Sequence, residues 1–189
     1  MPTISETKIF GLSAPSACGK TWLIEQLIKD KVVVGWPSHT TRPPRPGEVS
    51  TNYDHVFVDP TEFSNIKTTG GFAIATMFYG HQYGLTKPKE EGILPVMVLL
   101  KPEVIRDFNT TFGSRAIIFG IHAADGLRIA EKRMQERGQS RYDIDQRLAR
   151  YEAEVAMNQA LIPEDRYLIA EDHPRKILPA LVDEIMRCV

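Results

Sequence analysis

The sequence predicts an α/β fold in which helices cover both faces of a parallel sheet. Residues 95–100 (PVMVLL) and 116–121 (AIIFGI) are continuously apolar, as in strands that are buried on both faces. Helical spacing of apolar residues follows at about residues 123–137 and 143–158. Strands that alternate with helices are typical of a parallel sheet, because each crossover must return the chain to the same end of the sheet.

Shorter segments complete this pattern. The helix predicted after the first strand carries Leu23, Ile24, Leu27 and Ile28 on one face. Prolines exclude regular helix from residues 38–48. The remaining predictions are a strand at 8–12, a helix at 20–31, a strand at 56–58, a helix start at 59–63, a hairpin of 72–78 and 82–85 around Gly80, a strand at 167–170 and a helix at 174–188.

Length and composition are those of one globular domain. The chain has 189 residues, 42% hydrophobic and 25% charged, with a net charge of −1. Such a balance argues against wholesale binding to nucleic acid or to an anionic membrane, and no apolar run reaches the ~20 residues of a membrane span. The two cysteines, Cys18 and Cys188, have no metal-binding spacing. With a polar N-terminus, these features favour a reduced, cytoplasmic setting.

The segment between the first strand and the first helix predicts a phosphate-binding loop, here called the phosphate loop (residues 14–21, APSACGKT). A loop that enters a helix presents several backbone N–H groups to one anion, and small residues let the phosphates approach closely. The pattern GxxxxGK[ST] is met, except that Ala14 replaces its first glycine. Lys20 is expected to reach the β- and γ-phosphates of ATP, and Thr21 to bind Mg²⁺.

The chain resembles the guanylate kinase family along nearly its whole length. Its phosphate loop is similar to the family's GPSGAGKS or GPSGAGKT, a pattern that many NTPases share. Residues 38–48 (SHTTRPPRPGE) resemble the far more specific motif SHTTRxPRxGE. Further matching positions are Phe57-Val58, Glu62-Phe63, Phe72, Gly80, Tyr83-Gly84, Arg133, Arg137-Gly138 and Arg147-Leu148.

The resemblance implies one guanylate-kinase-like domain over residues 1–189 with three parts. These are a P-loop kinase core with a parallel sheet (1–38, 93–131 and 151–189), a small acceptor-binding subdomain (39–92) and a helical lid (132–150). Lid closure would exclude water, which competes as a phosphoryl acceptor. The expected activity is ATP- and Mg²⁺-dependent transfer to the phosphate of a nucleoside monophosphate. The expected partners are ATP and a phosphorylated small molecule, in a monomer or a homodimer.

Phosphoryl transfer depends on positioning and charge neutralisation. Arg42 and Arg45, three residues apart on a proline-stiffened segment, provide planar guanidinium groups that suit an acceptor phosphate. The resemblance places Ser38 and Tyr83 at the same phosphate. It implies ATP binding by Ala14, Ser16, Ala17, Cys18, Gly19, Lys20 and Thr21, and catalysis by Lys20, Arg42, Arg133, Arg137 and Arg147.

The residues that would recognise guanine depart from the family pattern. Ungapped counting places Ile74 at the base-binding glutamate, Leu85 at a serine or threonine and His55 at a tyrosine, for which Tyr53 serves only with a local shift. Apolar side chains cannot accept hydrogen bonds from guanine, and each buried unpaired N–H costs about 1–3 kcal/mol. The family's D-I-D falls on Leu99-Leu100-Lys101. The sequence leaves open whether Thr86, His81 or Gln82 make substitute contacts.

Three functional hypotheses therefore remain. The first is a nucleotide kinase for GMP, dGMP or a related nucleotide, which the retained Arg42 and Arg45 favour. The second is a sugar-phosphate kinase resembling ribose 1,5-bisphosphokinase, which also has an apolar residue in place of the glutamate and a histidine at the position of His55. The third is a non-catalytic guanylate-kinase-like binding module. The intact Lys20 and Thr21 argue against the third, because such modules typically lose the donor loop.

Overall fold

Two sheets organise the structure, a computed structural model that describes residues 7–45, 47–88, 94–170 and 173–189. The strands in these ranges are β1 (Ile9–Ser13), β2 (Val34–Gly35), β3 (Ser38–Thr40), β4 (His55–Phe57), β5 (Phe72–Phe78), β6 (His81–Thr86), β7 (Val96–Leu100), β8 (Ala116–Ala123) and β9 (Tyr167–Ala170). The helices are α1 (Lys20–Lys29), α2 (Pro60–Thr68), α3 (Ile105–Phe112), α4 (Gly126–Glu136), α5 (Arg141–Leu161) and α6 (Leu178–Cys188).

The larger sheet is parallel and has the strand order β2-β7-β1-β8-β9. Its alternating side chains enter two hydrophobic cores, one on each face. Phe10 and Leu12 pack with α1, α4, α5 and α6, whereas Ile9 packs with α3 on the other face. The predicted α/β fold with helices on both faces is confirmed, and β1 lies in the centre with the phosphate loop at its carboxyl end.

The smaller sheet has the order β4-β3-β6-β5. The strands β5 and β6 form the predicted antiparallel hairpin, and β6 pairs with β3 in turn. Asp59 caps α2 by accepting hydrogen bonds from two backbone N–H groups of its first turn. Phe63 of α2 stacks on Phe72 of β5 with ring centroids 4.5 Å apart. This sheet therefore has its own helix and projects its hairpin toward the end of β7.

Three elements, β2, β3 and α3, were not predicted from the sequence. Strands β2 and β3 are only two and three residues long, so neither is long enough to show a strand pattern. Helix α3 did leave a signal, because Val104, Ile105, Phe108 and Phe112 recur at helical spacing. The predicted closing helix begins with a short 3-10 turn at Pro174–Lys176, and α6 follows it. No helix among the described residues is long and apolar enough to span a membrane.

Candidate active site

The phosphate loop connects the central strand β1 to α1. Gly19 precedes α1 with φ +94°, and a Cβ there would lie 2.7 Å from Cγ of Pro174. Only glycine fits both the left-handed backbone and the close contact. Ala17 also has positive φ (+62°), although it bears a side chain. The loop therefore keeps a tightly curved backbone that leads into the start of α1, where backbone N–H groups can bind an anion.

Lys20 is folded back onto its own loop. Its ammonium donates hydrogen bonds to the carbonyl oxygens of Ala14 and, at 3.3 Å, Pro15. Burial lowers the pKa of Lys20, and the nearby carboxylates of Glu154 and Asp54 act in the opposite direction. Neutral carbonyl oxygens hold this cation weakly compared with a phosphate, so the lysine is free to turn toward one.

Two of the three arginines predicted from the lid contact the same loop. Arg133 of α4 donates a hydrogen bond to the carbonyl oxygen of Ala17 at 2.8 Å. Arg147 of α5 lies 3.4 Å from the hydroxyl of Ser16. Arg137, at the end of α4, is exposed and lines the cavity in front of the loop. The structure thus brings Arg133 and Arg147 into contact with the phosphate loop and places Arg137 at the cavity in front of it.

Arg42, Arg45 and Glu48 form a compact group, here called the arginine clamp. Glu48 accepts two hydrogen bonds from the guanidinium of Arg42, at 2.8 and 2.9 Å, and one from the backbone N–H of Arg45 at 2.8 Å. Although burial acts to raise it, these bonds lower the pKa of Glu48 to about 2. Arg42 also stacks over the ring of Phe57 at 5.2 Å. Glu48 therefore orients the guanidinium of Arg42 and lies 3.5 Å from that of Arg45 before any anion arrives.

Ser38, His55 and Tyr83 contact one another in series beside the arginine clamp. The hydroxyl of Ser38 lies 2.7 Å from Nδ1 of His55, whose ring lies edge-on to Tyr83 at 5.8 Å. Burial lowers the pKa of His55, so its ring is neutral at neutral pH. Tyr53 points elsewhere, because its hydroxyl donates a hydrogen bond to Glu25 of α1 at 2.8 Å. His55, rather than Tyr53, thus lies beside the predicted acceptor residues.

One cavity of about 750 Å³ joins the phosphate loop to the arginine clamp. Its far wall is apolar and is built from Ile74, Phe78, Leu85, Leu100 and Val104. Of the residues proposed as substitute base contacts, His81 lines the cavity, and Gln82 and Thr86 lie on the same strand outside it.

Lys101, directly after β7, brings an ammonium group to this side of the cavity. It contacts the ring of Tyr79 at 6.0 Å from the centroid. Burial, reinforced by nearby Lys20, lowers the pKa of Lys101 to about 8. The family's second aspartate of D-I-D has thus been replaced by a cation that faces the cavity.

Sequence reasoning did not assign roles to four further residues at this site. Glu48 lay inside a recognised motif but carried no role, and Lys101 was noted only as a missing aspartate. Asp54 and the buried Glu154 left no signal, because their importance depends on contacts with residues far away in the chain.

The oxygen ligands beside the phosphate loop fit Mg²⁺. The hydroxyl of Thr21 donates a hydrogen bond to Oδ2 of Asp54 at 3.3 Å. Within the described ranges, no cluster of three or more His, Cys, Asp or Glu residues could hold a metal by itself. Such a site suits magnesium, which is bound by one or two protein oxygens together with substrate phosphates and water.

Comparisons with known proteins agree with this geometry. No family model matches the chain. Over 96% of its length, the chain is similar to the crystal structure of guanylate kinase from Anaplasma phagocytophilum, with a TM-score of 0.69, 20% identity and 83% of that chain covered. The parallel sheet, the phosphate loop and this structural similarity together define a P-loop kinase fold.

Proteins of similar sequence show which family within this fold the chain belongs to. The chain is 33% identical over 161 residues to guanylate kinase of Shewanella oneidensis, covering 78% of this chain and 73% of that protein. It is 28% identical over 154 residues to guanylate kinase of Nitrosomonas europaea, covering 78% and 75%. With guanylate kinase of Nitrosococcus oceani it shares 39% identity over 90 residues, less than half of either protein (47% and 42%). The chain belongs to the guanylate kinase family.

Proposed function

We propose that the chain catalyses ATP-dependent transfer of a phosphoryl group to the phosphate of a nucleoside monophosphate. The observation that carries this proposal is the shared cavity, because the phosphate loop and the arginine clamp face each other across it. Two phosphate-binding groups in one cavity suit a reaction that joins two phosphates. The proposal includes the division into a core, an acceptor-binding subdomain (39–92) and a lid (132–150).

On the donor side, the backbone N–H groups of the phosphate loop bind the ATP phosphates. Lys20 leaves the carbonyl oxygens of Ala14 and Pro15 and binds the phosphates instead. Arg133, Arg137 and Arg147 neutralise charge on the transferring group. Bound magnesium supplies further charge neutralisation at the phosphates, and Thr21 is one residue that holds it.

On the acceptor side, Arg42 and Arg45 bind the acceptor phosphate through guanidinium groups that Glu48 has already oriented. Ser38 and Tyr83 lie beside them and complete the hydrogen bonds to that phosphate. His55 accepts or donates one hydrogen bond to Ser38 and so fixes the direction of its hydroxyl.

The wall that faces the rest of the acceptor offers few hydrogen-bond acceptors. Ile74 and Leu85 are apolar and buried, and Lys101 only donates. A base edge rich in N–H groups would lose hydrogen bonds there, whereas a carbonyl oxygen would gain one from Lys101. We therefore expect the acceptor to be GMP, dGMP or a related nucleotide, without strict selection for guanine, because its carbonyl groups and not its amino groups are recognised.

We place the activity in the cytoplasm, since both cysteines are free thiols, as is usual in a reducing compartment.

A coupled assay of ADP release tests the function. Each of GMP, dGMP, AMP, CMP, UMP and TMP is offered with ATP and Mg²⁺, and ribose 1,5-bisphosphate is offered in parallel. We expect turnover with at least one nucleotide and none with Lys20→Ala, which serves as the background. Turnover on the sugar phosphate alone would overturn the assignment to nucleotides. Fast and strictly guanine-selective turnover would contradict the account of Ile74, Leu85 and Lys101.

A further inference from the structure

Among the described residues, the ends of β7 and β8 beside the phosphate loop leave no unpaired carboxylate for a metal ion. P-loop enzymes hold the metal through the loop's Ser or Thr hydroxyl and an aspartate. Here β7 is followed by Lys101, and β8 is followed by Ala124 and then Asp125, which pairs with Arg128. In the part of the chain that the structure describes, no carboxylate lies within ion-pair distance of Lys101. The ammonium of Lys101 repels a metal ion on this side, which favours a carboxylate that approaches the phosphate loop from another direction.

Asp54 approaches Thr21 from that other direction. Its Oδ2 lies 3.3 Å from Oγ1 of Thr21, and its Oδ1 lies 3.4 Å from Nε2 of His55. The side chain of Asp54 is 23% exposed and lines the cavity, so it is accessible to a bound ion. Two oxygens that bind one Mg²⁺ at right angles lie about 3 Å apart, given bonds of about 2.1 Å. The observed separation is close to that value.

The backbone around Asp54 is held firmly. Its carbonyl oxygen accepts a hydrogen bond from the N–H of Ser38 at 3.0 Å, and its N–H donates to the hydroxyl of Thr51 at 2.9 Å. The neighbouring Tyr53 is tied to Glu25 of α1. These bonds fix the carboxylate on both sides, because they connect its segment to the smaller sheet and to the helix that carries Thr21.

The absent side chain of Gly35 contributes to this placement. A Cβ on Gly35 would lie 2.5 Å from Cβ of Tyr53 and 2.7 Å from the carbonyl oxygen of Asn52. The segment before Asp54 therefore packs directly against the backbone of β2, at a distance that any larger residue would increase. The position of the carboxylate is a property of the fold and not of one loose side chain.

We propose that Asp54 supplies the carboxylate of the metal site, in place of an aspartate at the end of a neighbouring strand. This assignment rests on the proposed function, and it makes Asp54 a positioning residue for the donor phosphates. Because Asp54 belongs to the segment that leads into β4, the metal site is shared between the core and the smaller sheet. Metal affinity then depends on the acceptor side of the molecule as well as on the phosphate loop.

Manganese is a suitable probe, because it replaces magnesium at oxygen sites and is visible by electron paramagnetic resonance. The affinity for Mn²⁺ is measured in the presence of saturating ADP for the wild-type protein, Asp54→Asn and the control Asp30→Asn. Asp30 is exposed at the end of α1, so the control removes the same charge away from the site. We expect Asp54→Asn to weaken Mn²⁺ binding by about 10- to 100-fold, and Asp30→Asn to leave it unchanged.

Two further measurements keep the test decisive. Thermal unfolding followed by circular dichroism establishes that each variant is folded, and Asp54→Glu retains the charge with displaced oxygens and should bind Mn²⁺ with intermediate affinity. Mn²⁺ affinities of both Asp54 variants within twofold of the wild type would overturn the assignment of Asp54 alone. A wild-type protein that binds neither ADP nor Mn²⁺ with ADP would instead contradict the proposed function.

Discussion

The phosphate loop and the arginine clamp prepare their cations in opposite ways. In the loop, the ammonium of Lys20 rests on neutral carbonyl oxygens of its own backbone. In the arginine clamp, the guanidinium of Arg42 is already bound to the carboxylate of Glu48 through two hydrogen bonds. In the proposed reaction, Lys20 exchanges its present contacts for a phosphate, whereas Arg42 keeps its contacts with Glu48 and adds a phosphate to them.

The two sites therefore differ in that the cation of the phosphate loop can move, whereas the cation of the arginine clamp keeps a fixed direction. A cation held by neutral oxygens can follow charge that develops during a reaction, because a phosphate is a stronger partner. A cation held by a carboxylate keeps one direction and has unused N–H groups for a ligand. The donor side is therefore suited to the changing charge of the transferring group, and the acceptor side to fixing a phosphate that changes little.

The largest expected effect follows from removing the movable cation. Lys20→Ala should lower kcat by about 10²- to 10³-fold, because one donor to developing charge is lost. The thermal midpoint should stay near the wild-type value, since Lys20 does not belong to either hydrophobic core. Lys29→Ala on the exposed end of α1 is the matched control. Steady-state kinetics with the best acceptor measure both, and equal rates would refute the donor role.

Replacing the planar guanidinium of Arg42 should have a smaller effect, and we expect it on kcat/KM for the acceptor. Arg42→Lys keeps the charge but loses the two-pronged contact, so we expect kcat/KM for the acceptor to fall by about 10- to 100-fold. The KM for ATP should change little. Arg106→Lys, on the exposed face of α3, tests the same substitution without a ligand contact. An effect confined to the KM for ATP would show that the two sides have been assigned in reverse.

Acid should weaken the arginine clamp before it weakens the phosphate loop. The folded-state pKa of Glu48 is lowered from 4.5 to about 2, so its contribution to stability is present above pH 4.5 and is lost as pH falls toward 2. After allowance for solvent screening, that contribution is about 2 kcal/mol.

Urea unfolding of the wild type and Glu48→Gln measures this contribution. The two free energies of unfolding should differ at pH 7 and converge as pH falls through this range. Glu152→Gln, exposed on α5, should give no such convergence. Parallel curves for the wild type and Glu48→Gln would contradict the lowered pKa.

The smallest expected effect concerns backbone strain in the phosphate loop. Ala17 has φ +62°, which costs a residue with a side chain about 1–2 kcal/mol, and glycine gives back about 0.5–1 kcal/mol through its greater freedom in the unfolded chain. Ala17→Gly should therefore raise stability by less than about 1 kcal/mol, or about 2–4 °C in Tm. Ala149→Gly, exposed within α5, should lower stability by about 1 kcal/mol. A lower Tm for both variants would rule out strain at Ala17.

The elements that could be predicted from the sequence are those that local patterns encode. The path from β1 through the phosphate loop to α1 and the β5–β6 hairpin were readable because their signals lie within a few residues. The contacts of Asp54 with Thr21 and of Arg147 with Ser16 were not, since each joins residues 33 and 131 positions apart, respectively. The periodicity of the sequence carries no information about contacts between residues so far apart.

The acceptor wall shows a second limit. The sequence indicated that Ile74 and Leu85 replace polar residues, but it could not show that Lys101 reaches the same cavity and meets Tyr79. The direction of one side chain after β7 depends on how the smaller sheet packs against the core. The chemistry of the missing base contacts was thus predictable, and the chemistry of what replaces them was not.

The burial of Cys18 makes this thiol a probe of how often the phosphate loop opens. Cys18 is 3% exposed and its sulfur lies 3.2 Å from the hydroxyl of Tyr151, whereas Cys188 is half-buried near the C-terminus. An alkylating reagent must wait for the loop to open before it reaches Cys18, but it meets Cys188 with less hindrance. The ratio of labelling at the two thiols therefore reports how often the loop opens, without any added dye or mutation.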